Sequence, residues 1–182
     1  MVLVITGNPG VGKHTIADLL EKQNSTYKIF DINKLAIEKG FVEKIEDGFE
    51  VDVEELASGI KHLISHESLI VGHLAPYIFD ENDVDLVIVL RKNPYHLIEI
   101  YEKRDYQDSK IKENIGSEIL GIIANDAIEK FGRQKTFEID TTNKTPENIL
   151  NFVIDIINEK RETDHVDWLE LIKNNKDFDK FF

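Results

Sequence analysis

The chain has 182 residues, 41% of them hydrophobic, with 35 acidic against 22 basic side chains and a formal net charge of −13. That length suffices for one domain with a good core, and the acidic surface repels nucleic acid and anionic membrane while it would attract a basic partner. No apolar run approaches the ~20 residues of a membrane span, and the lack of cysteine excludes disulfides and thiolate metal sites.

Met1 to Thr6, M-V-L-V-I-T, is a continuous apolar run that suits a strand buried on both faces. A chain that enters its first strand at once leaves no room for a signal peptide, so a cytoplasmic protein is expected. Residues 7 to 15 follow as G-N-P-G-V-G-K-H-T. Gly7, Gly12 and Lys13 fit the spacing of a phosphate loop, G-x-x-x-x-G-K-[ST], with His14 where a hydroxyl is usual. The glycines let backbone N–H groups turn inward onto phosphate oxygens, the next helix adds its positive end, and Lys13 reaches the terminal phosphates. Thr15 offers a hydroxyl one residue late. The plainer alternative is an ordinary glycine turn, but Ile16, Leu19 and Leu20 mark a helix directly after it, completing the order strand, loop, helix.

Tyr27 to Phe30 reads as a short second strand. From Asp31 to about His66 the chain is expected to be mainly helical, interrupted at Gly40 and at E-K-I-E-D-G-F-E-V-D. Leu69 to Val71 is a third strand ending at Gly72-His73, and Val84 to Leu90 a fourth, closed by Arg91. Asn93-Pro94 starts a helix to about Arg104, a polar turn follows, and one long helix is expected from Lys110 to about Phe131. Lys135 to Asp140 is a fifth strand, and Thr145-Pro146 caps and opens a last core helix. Trp168, Leu169 and Ile172 in the tail could dock as a short helix. The alternation predicts an α/β fold, a five-stranded parallel sheet flanked by helices.

Ligands gather beyond the carboxyl ends of such strands. Arg91 could fork onto phosphate there, or form an ion pair. Arg104, with Lys103, Lys110 and Lys112, could form a closing basic loop. His73 could bind phosphate, orient water or serve as acid or base, although a lone histidine is more often structural. No acid lies in S-L-I-V-G-H or between it and Asp80. The loop from Asp140 to Pro146, with Asn143 and Lys144, could pass across an adenine ring.

These residues together resemble the adenylate kinase isoenzyme 6 family, the CINAP-type nucleotide kinases, over about residues 1 to 160. The most specific pieces are G-N-P-G-V-G-K at 7–13, V-I-V-L-R at 87–91 and R-D-Y-Q-D-S-K-I-K-E-N-I-G-S-E-I at 104–119. In the last, Arg104, Tyr106, Asn114, Ile115 and Glu118 match the family's lid and following helix. The T-N-K-T-P loop and the tail V-D-W-L look like archaeal members. The resemblance implies a P-loop nucleoside-monophosphate-kinase fold in one domain spanning 1–182. Within it, a monophosphate-binding insertion falls at about 31–66, a short lid at about 104–112 and a tail at about 163–182. It implies transfer of the ATP γ-phosphoryl to AMP with Mg2+, ATPase activity alongside, and a role in small-ribosomal-subunit maturation through a ribosomal protein. A nucleotide-switched assembly ATPase with little kinase activity is the alternative. Lys13, Arg104, His73 and Arg91 would be catalytic. Asn8, Gly10, Val11, Gly12, Lys13, His14, Thr15, Arg104, Asn143 and Lys144 would hold nucleotide, with Thr15 toward the metal. Three departures stand out. His14 replaces the hydroxyl, Val71 stands where an acid is expected two places before His73, and N-K-L-A-I at 33–37 has Lys34 for an acid and Ile37 for an arginine.

Overall fold

The computed structural model describes residues 1–45 and 48–182, and side chains outside 43–50. In chain order the elements are β1 (Leu3–Thr6), α1 (Lys13–Gln23), β2 (Lys28–Asp31), α2 (Ile32–Lys39), β3 (Val42–Ile45), β4 (Gly48–Val51) and α3 (Val53–Ile60). Then come β5 (Ser68–Val71), α4 (Ala75–Ile78), β6 (Leu86–Arg91), α5 (Pro94–Glu102), α6 (Asp108–Ile119) and α7 (Ile122–Phe131). The chain closes with β7 (Thr136–Asp140), α8 (Pro146–Ile157), α9 (Trp168–Asn175) and α10 (Phe178–Phe181). No helix among the described residues is long and apolar enough to cross a membrane.

Five strands form one parallel sheet in the order β2-β5-β1-β6-β7. The unbroken apolar runs have a simple cause: the central strands are covered on both faces. Leu3, Ile5, Leu69, Val71, Ile88 and Leu90 point into one core with Ile16 and Leu20 of α1 and Val153 of α8. Val4, Ile70, Val87 and Val89 point into the other, with Ile32, Leu56, Phe79 and Phe131. Each large aliphatic side chain so buried contributes about 2–3 kcal/mol relative to exposure. The expected five strands are all present within a residue or two.

Helix starts follow side-chain chemistry. Asp31 caps α2 by accepting from Lys34 N at 3.1 Å, and Asn93 caps α5 by accepting from Tyr95 N at 3.0 Å. Thr145 accepts from Asn148 N, with Pro146 in the first turn of α8, as its sequence predicts.

Two expectations are corrected. The 31–66 stretch is not only helical: β3 and β4 pair antiparallel, with Val42 opposite Val51 and both packed on the second core. The single helix from Lys110 to Phe131 is two, because Gly121 takes a left-handed conformation with φ 65° between α6 and α7.

The tail returns to the body. Thr163 Oγ1 accepts from Glu138 N at 2.8 Å, Asp164 N donates to Glu138 O at 2.9 Å, and Asp164 Oδ2 accepts from Asp140 N at 3.0 Å. These bonds cover the open edge of β7. Ile172 and Phe181 are buried, and Phe181 meets the edge of Tyr95 at 5.0 Å. Of the three tail residues expected to dock, Ile172 is buried and Trp168 partly so, while Leu169 stays 40% exposed.

Candidate nucleotide site

β1 ends at Thr6 and the chain wraps through Gly7, Gly10 and Gly12 at φ 131°, 85° and 102°. At Gly7 the need for glycine is absolute in two ways: the φ is left-handed, and a Cβ would sit 2.3 Å from the Leu90 carbonyl oxygen. The loop is braced from outside. Tyr101 donates its hydroxyl to Pro9 O at 2.7 Å, and Thr141 Oγ1, which donates to Arg91 O at 2.8 Å, lies 3.4 Å from Val11 O. Asn8 is buried and donates through Nδ2 to Glu118 Oε2 at 2.7 Å.

Lys13 opens α1 and is only 6% exposed. Its Nζ donates to the carbonyls of Gly7 at 2.8 Å and Asn8 at 2.9 Å. Burial pushes its pKa down to about 8; Arg104 adds to the fall, while Glu118 and Asp31 oppose it. Phosphate oxygens arriving here would replace those carbonyls as acceptors and favour the charged amine.

Beyond the loop opens a cleft of about 890 Å3, within the size range of small-molecule sites. The phosphate loop from Pro9 to Thr15 forms one wall, with Val11 turned into the core instead. Asn33, Ala36 and Ile37 of α2, with Val42 and Val51 of the hairpin, form a second. His73 and Leu74 lie at the end of β5, and Arg104, Tyr106, Lys110, Glu113 and Asn114 close the third side. The Tyr106 ring stacks on Tyr101 at 5.3 Å, and Lys110 Nζ lies 5.2 Å from the Tyr106 ring. Burial, with the charges of Lys13 and Lys110, lowers the His73 pKa to about 4. Its ring is therefore neutral at pH 7, able to donate and accept one hydrogen bond each.

The structure brings Gly10, Gly12, Lys13, His14, Thr15, His73 and Arg104 together on this cleft. It places Arg91 elsewhere. Arg91 is 3% exposed, with Nε 2.9 Å from Glu118 Oε1, Nη2 2.8 Å from Glu118 O, and Nη1 on Glu138. Every face of the guanidinium is spent on carboxylates and a carbonyl, so its expected grip on phosphate is corrected to a buried ion pair. Asn143 and Lys144 also lie off this cleft; Lys144 Nζ donates to Asp140 O at 2.6 Å. Their loop nevertheless starts at Thr141, which touches the phosphate loop. Asp80 is no substitute acid, since Lys61 and Lys130 engage it at 2.6 Å each on the surface.

Sequence reasoning missed Asp31. It is the register partner of Val71 on the adjacent strand, and its Oδ2 lies 2.8 Å from His14 Nε2. Partial burial raises its pKa, but the hydrogen bonds from His14 and the Lys34 backbone outweigh that and hold it below the ordinary aspartate value. Glu118 was matched only as a motif letter. Its carboxylate gathers Asn8, Arg91, the Lys92 amide at 3.1 Å and the Trp168 indole N–H at 2.9 Å. A divalent cation commonly accompanies phosphates at such loops. The hydroxyl of Thr15, the imidazole of His14 and the carboxylate of Asp31 are donors that fit one.

The sheet order, the glycine loop and its buried lysine define a P-loop nucleotide-binding fold. Residues 3–121 match the family described as AAA domain. Archaeal proteins named "Putative adenylate kinase" align over nearly the whole chain. The one from Pyrococcus furiosus is 37% identical over 175 residues, covering 94% of this chain and 93% of its own. The one from Methanocaldococcus jannaschii is 37% identical over 176 residues, covering 93% and 94%. The chain belongs to the P-loop family that these archaeal proteins form. Among solved structures, a gluconokinase from Sinorhizobium meliloti superposes with a TM-score of 0.54 at 15% identity, covering 82% of this chain and 87% of its own. A thymidylate kinase from Candida albicans gives 0.50 at 17%, covering 91% and 95%. Both share the P-loop kinase fold.

Proposed function

We propose that this chain is an adenylate-kinase-like nucleoside-monophosphate kinase that transfers the γ-phosphoryl of ATP to AMP, ATP + AMP = 2 ADP, with Mg2+ or a similar divalent cation. The observation that carries this reading is the convergence of Lys13, Arg104 and Lys110 on one cleft between the phosphate loop and α2. The relatives' name points to the same activity.

Backbone amides from Gly10 to Thr15 would hold the ATP phosphates, and Lys13 would swing its ammonium from the Gly7 and Asn8 carbonyls onto the terminal ones. The loop from Asp140 to Pro146, with Asn143 and Lys144, would lie along the adenine. A phosphate oxygen of AMP attacks the γ-phosphorus while the bond to the β–γ bridging oxygen breaks, and ADP leaves. Such transfer needs positioning and charge neutralisation more than covalent help from the protein. Arg104 and Lys110 supply positive charge opposite the loop. Neutral His73 orients the acceptor by hydrogen bonding. Thr15 would face the cation, which supplies charge neutralisation across the terminal phosphates. Arg91 acts at one remove, holding Glu118 and through it Asn8. A coupled assay of ADP formation tests the reading: turnover that depends on AMP is expected, and clean ATP binding without AMP-dependent turnover would sink it.

One observation favours a second reading. From α2 the cleft receives Asn33, Ala36 and Ile37, while Lys34 turns to Glu38 at 3.8 Å. The acceptor phosphate thus finds no cation on α2. An ATPase that switches an assembly step on a basic ribosomal protein, suited to the net charge of −13, would need none. AMP-independent ATP hydrolysis together with nucleotide-dependent capture of that partner would favour it.

A further inference from the structure

The two departures that deprive this site of the usual cation ligands meet in space. His14 stands where the loop hydroxyl is expected, and Val71 where the strand acid is expected. Asp31 sits opposite Val71 in the register of β2 and β5. Its carboxylate Oδ2 is 2.8 Å from His14 Nε2. One pair of side chains therefore stands at both gaps.

We propose that His14 Nε2 and Asp31 Oδ2 are adjacent ligands of the divalent cation that enters with the nucleotide, and that the imidazole moves the site's preference from Mg2+ toward Mn2+ and later first-row ions. The proposal rests on the nucleotide-site reading above. Two ligands ~2.1 Å from one ion and at right angles lie ~3.0 Å apart, close to the observed separation. The pair can thus close on an ion with little rearrangement. His14 is 57% exposed at its side chain and borders the cleft, so the ion has a path to it. The Nε2–H that donates to Asp31 in the free protein gives way, by exchange through solvent, to the Nδ1–H tautomer, so that Nε2 and Oδ2 both turn lone pairs toward the ion. Among the described residues no group of three or more His, Cys, Asp or Glu side chains gathers. Phosphate oxygens and water, with the Thr15 hydroxyl facing the ion, must complete the shell, which ties cation binding to nucleotide binding. Imidazole suits Fe2+, Ni2+, Cu2+ and Zn2+, whereas Mg2+ takes oxygen donors; Mn2+ accepts those same oxygens and stands at the start of the first-row series along which nitrogen affinity rises.

The plainer account is a hydrogen bond that ties α1 to the N-cap of α2. Pulsed electron paramagnetic resonance separates the two. Mn2+ is added to the protein with a non-hydrolysable ATP analogue. Coupling of Mn2+ to an imidazole nitrogen is expected in the wild type and in His66→Gln, an exposed histidine far from the loop, and lost in His14→Ser. The Mn2+ affinity of the nucleotide complex falls about tenfold or more in His14→Ser, the scale of losing a metal-site partner, while Mg2+ affinity changes little. Asp31→Asn keeps the N-cap acceptor and weakens Mn2+ binding by the nucleotide complex, with the fold intact by circular dichroism. A wild-type complex with no nitrogen coupling overturns the proposal, as does an unchanged Mn2+ to Mg2+ preference in His14→Ser. Calorimetry of ATP itself keeps the readings apart. No ATP binding sinks both, whereas ATP binding without nitrogen coupling sinks this proposal alone.

Discussion

Lys13 holds its charge among carbonyl oxygens instead of in water, and that has a measurable consequence. Burial brings its pKa from 10.5 to about 8 in the free protein. Between those values the unfolded chain binds a proton that the folded one does not, so this group's contribution to stability increases as pH rises across that window. Anionic phosphates reverse the shift. ATP binding above pH 8 should therefore take up a proton, and affinity should fall as pH rises further. Calorimetry in buffers of different ionisation enthalpy reads that proton, and Lys13→Met should abolish it. Arg91 makes the opposite case. It lies at a strand end where phosphates gather, yet its partners are Glu118 and Glu138. Arg91→Met should lower stability by about 3 kcal/mol, because the buried Glu118 and the partly buried Glu138 lose their cation. Chemical denaturation checks this; lost ATP affinity at unchanged stability would instead mark a phosphate ligand.

The elements were legible where burial alone decides them. A strand covered on both faces must be apolar throughout, so M-V-L-V-I-T and V-D-L-V-I-V-L announce themselves. The phosphate loop was legible because its glycines are demanded by backbone geometry. The hairpin of β3 and β4 was not, since charged residues interleave its few apolar ones and the segment reads as an acidic interruption. The break between α6 and α7 was hidden by apolar residues continuing on either side of Gly121. There the left-handed φ of 65° turns the chain, a conformation that L side chains rarely adopt. The tail helix α9 shows a limit of another kind. Its tie to the loop runs through Glu118, 110 residues from Asn8, and no spacing rule reaches that far. Trp168→Phe keeps the ring and removes the N–H bond to Glu118. It should weaken ATP binding by about tenfold, as loss of a hydrogen bond to a charged group does, with the fold intact by circular dichroism.

At the level of the whole molecule, one sheet separates two cores, and everything chemical collects at its carboxyl edge. α2 and the hairpin supply one bank of the cleft and the start of α6 the other, and these insertions extend the plan read from the strands. The tail finishes the opposite end of the sheet by bonding to Glu138 and Asp140 of β7. It then crosses to Glu118 through Trp168, the one tryptophan of the chain. That placement gives the protein a built-in optical reporter. Indole emission responds to the polarity and hydrogen bonding around the ring, and here the ring is two hydrogen bonds from the phosphate loop. Occupancy of the loop is expected to shift that emission, so titrating nucleotide into the unlabelled protein should read it without waiting for product.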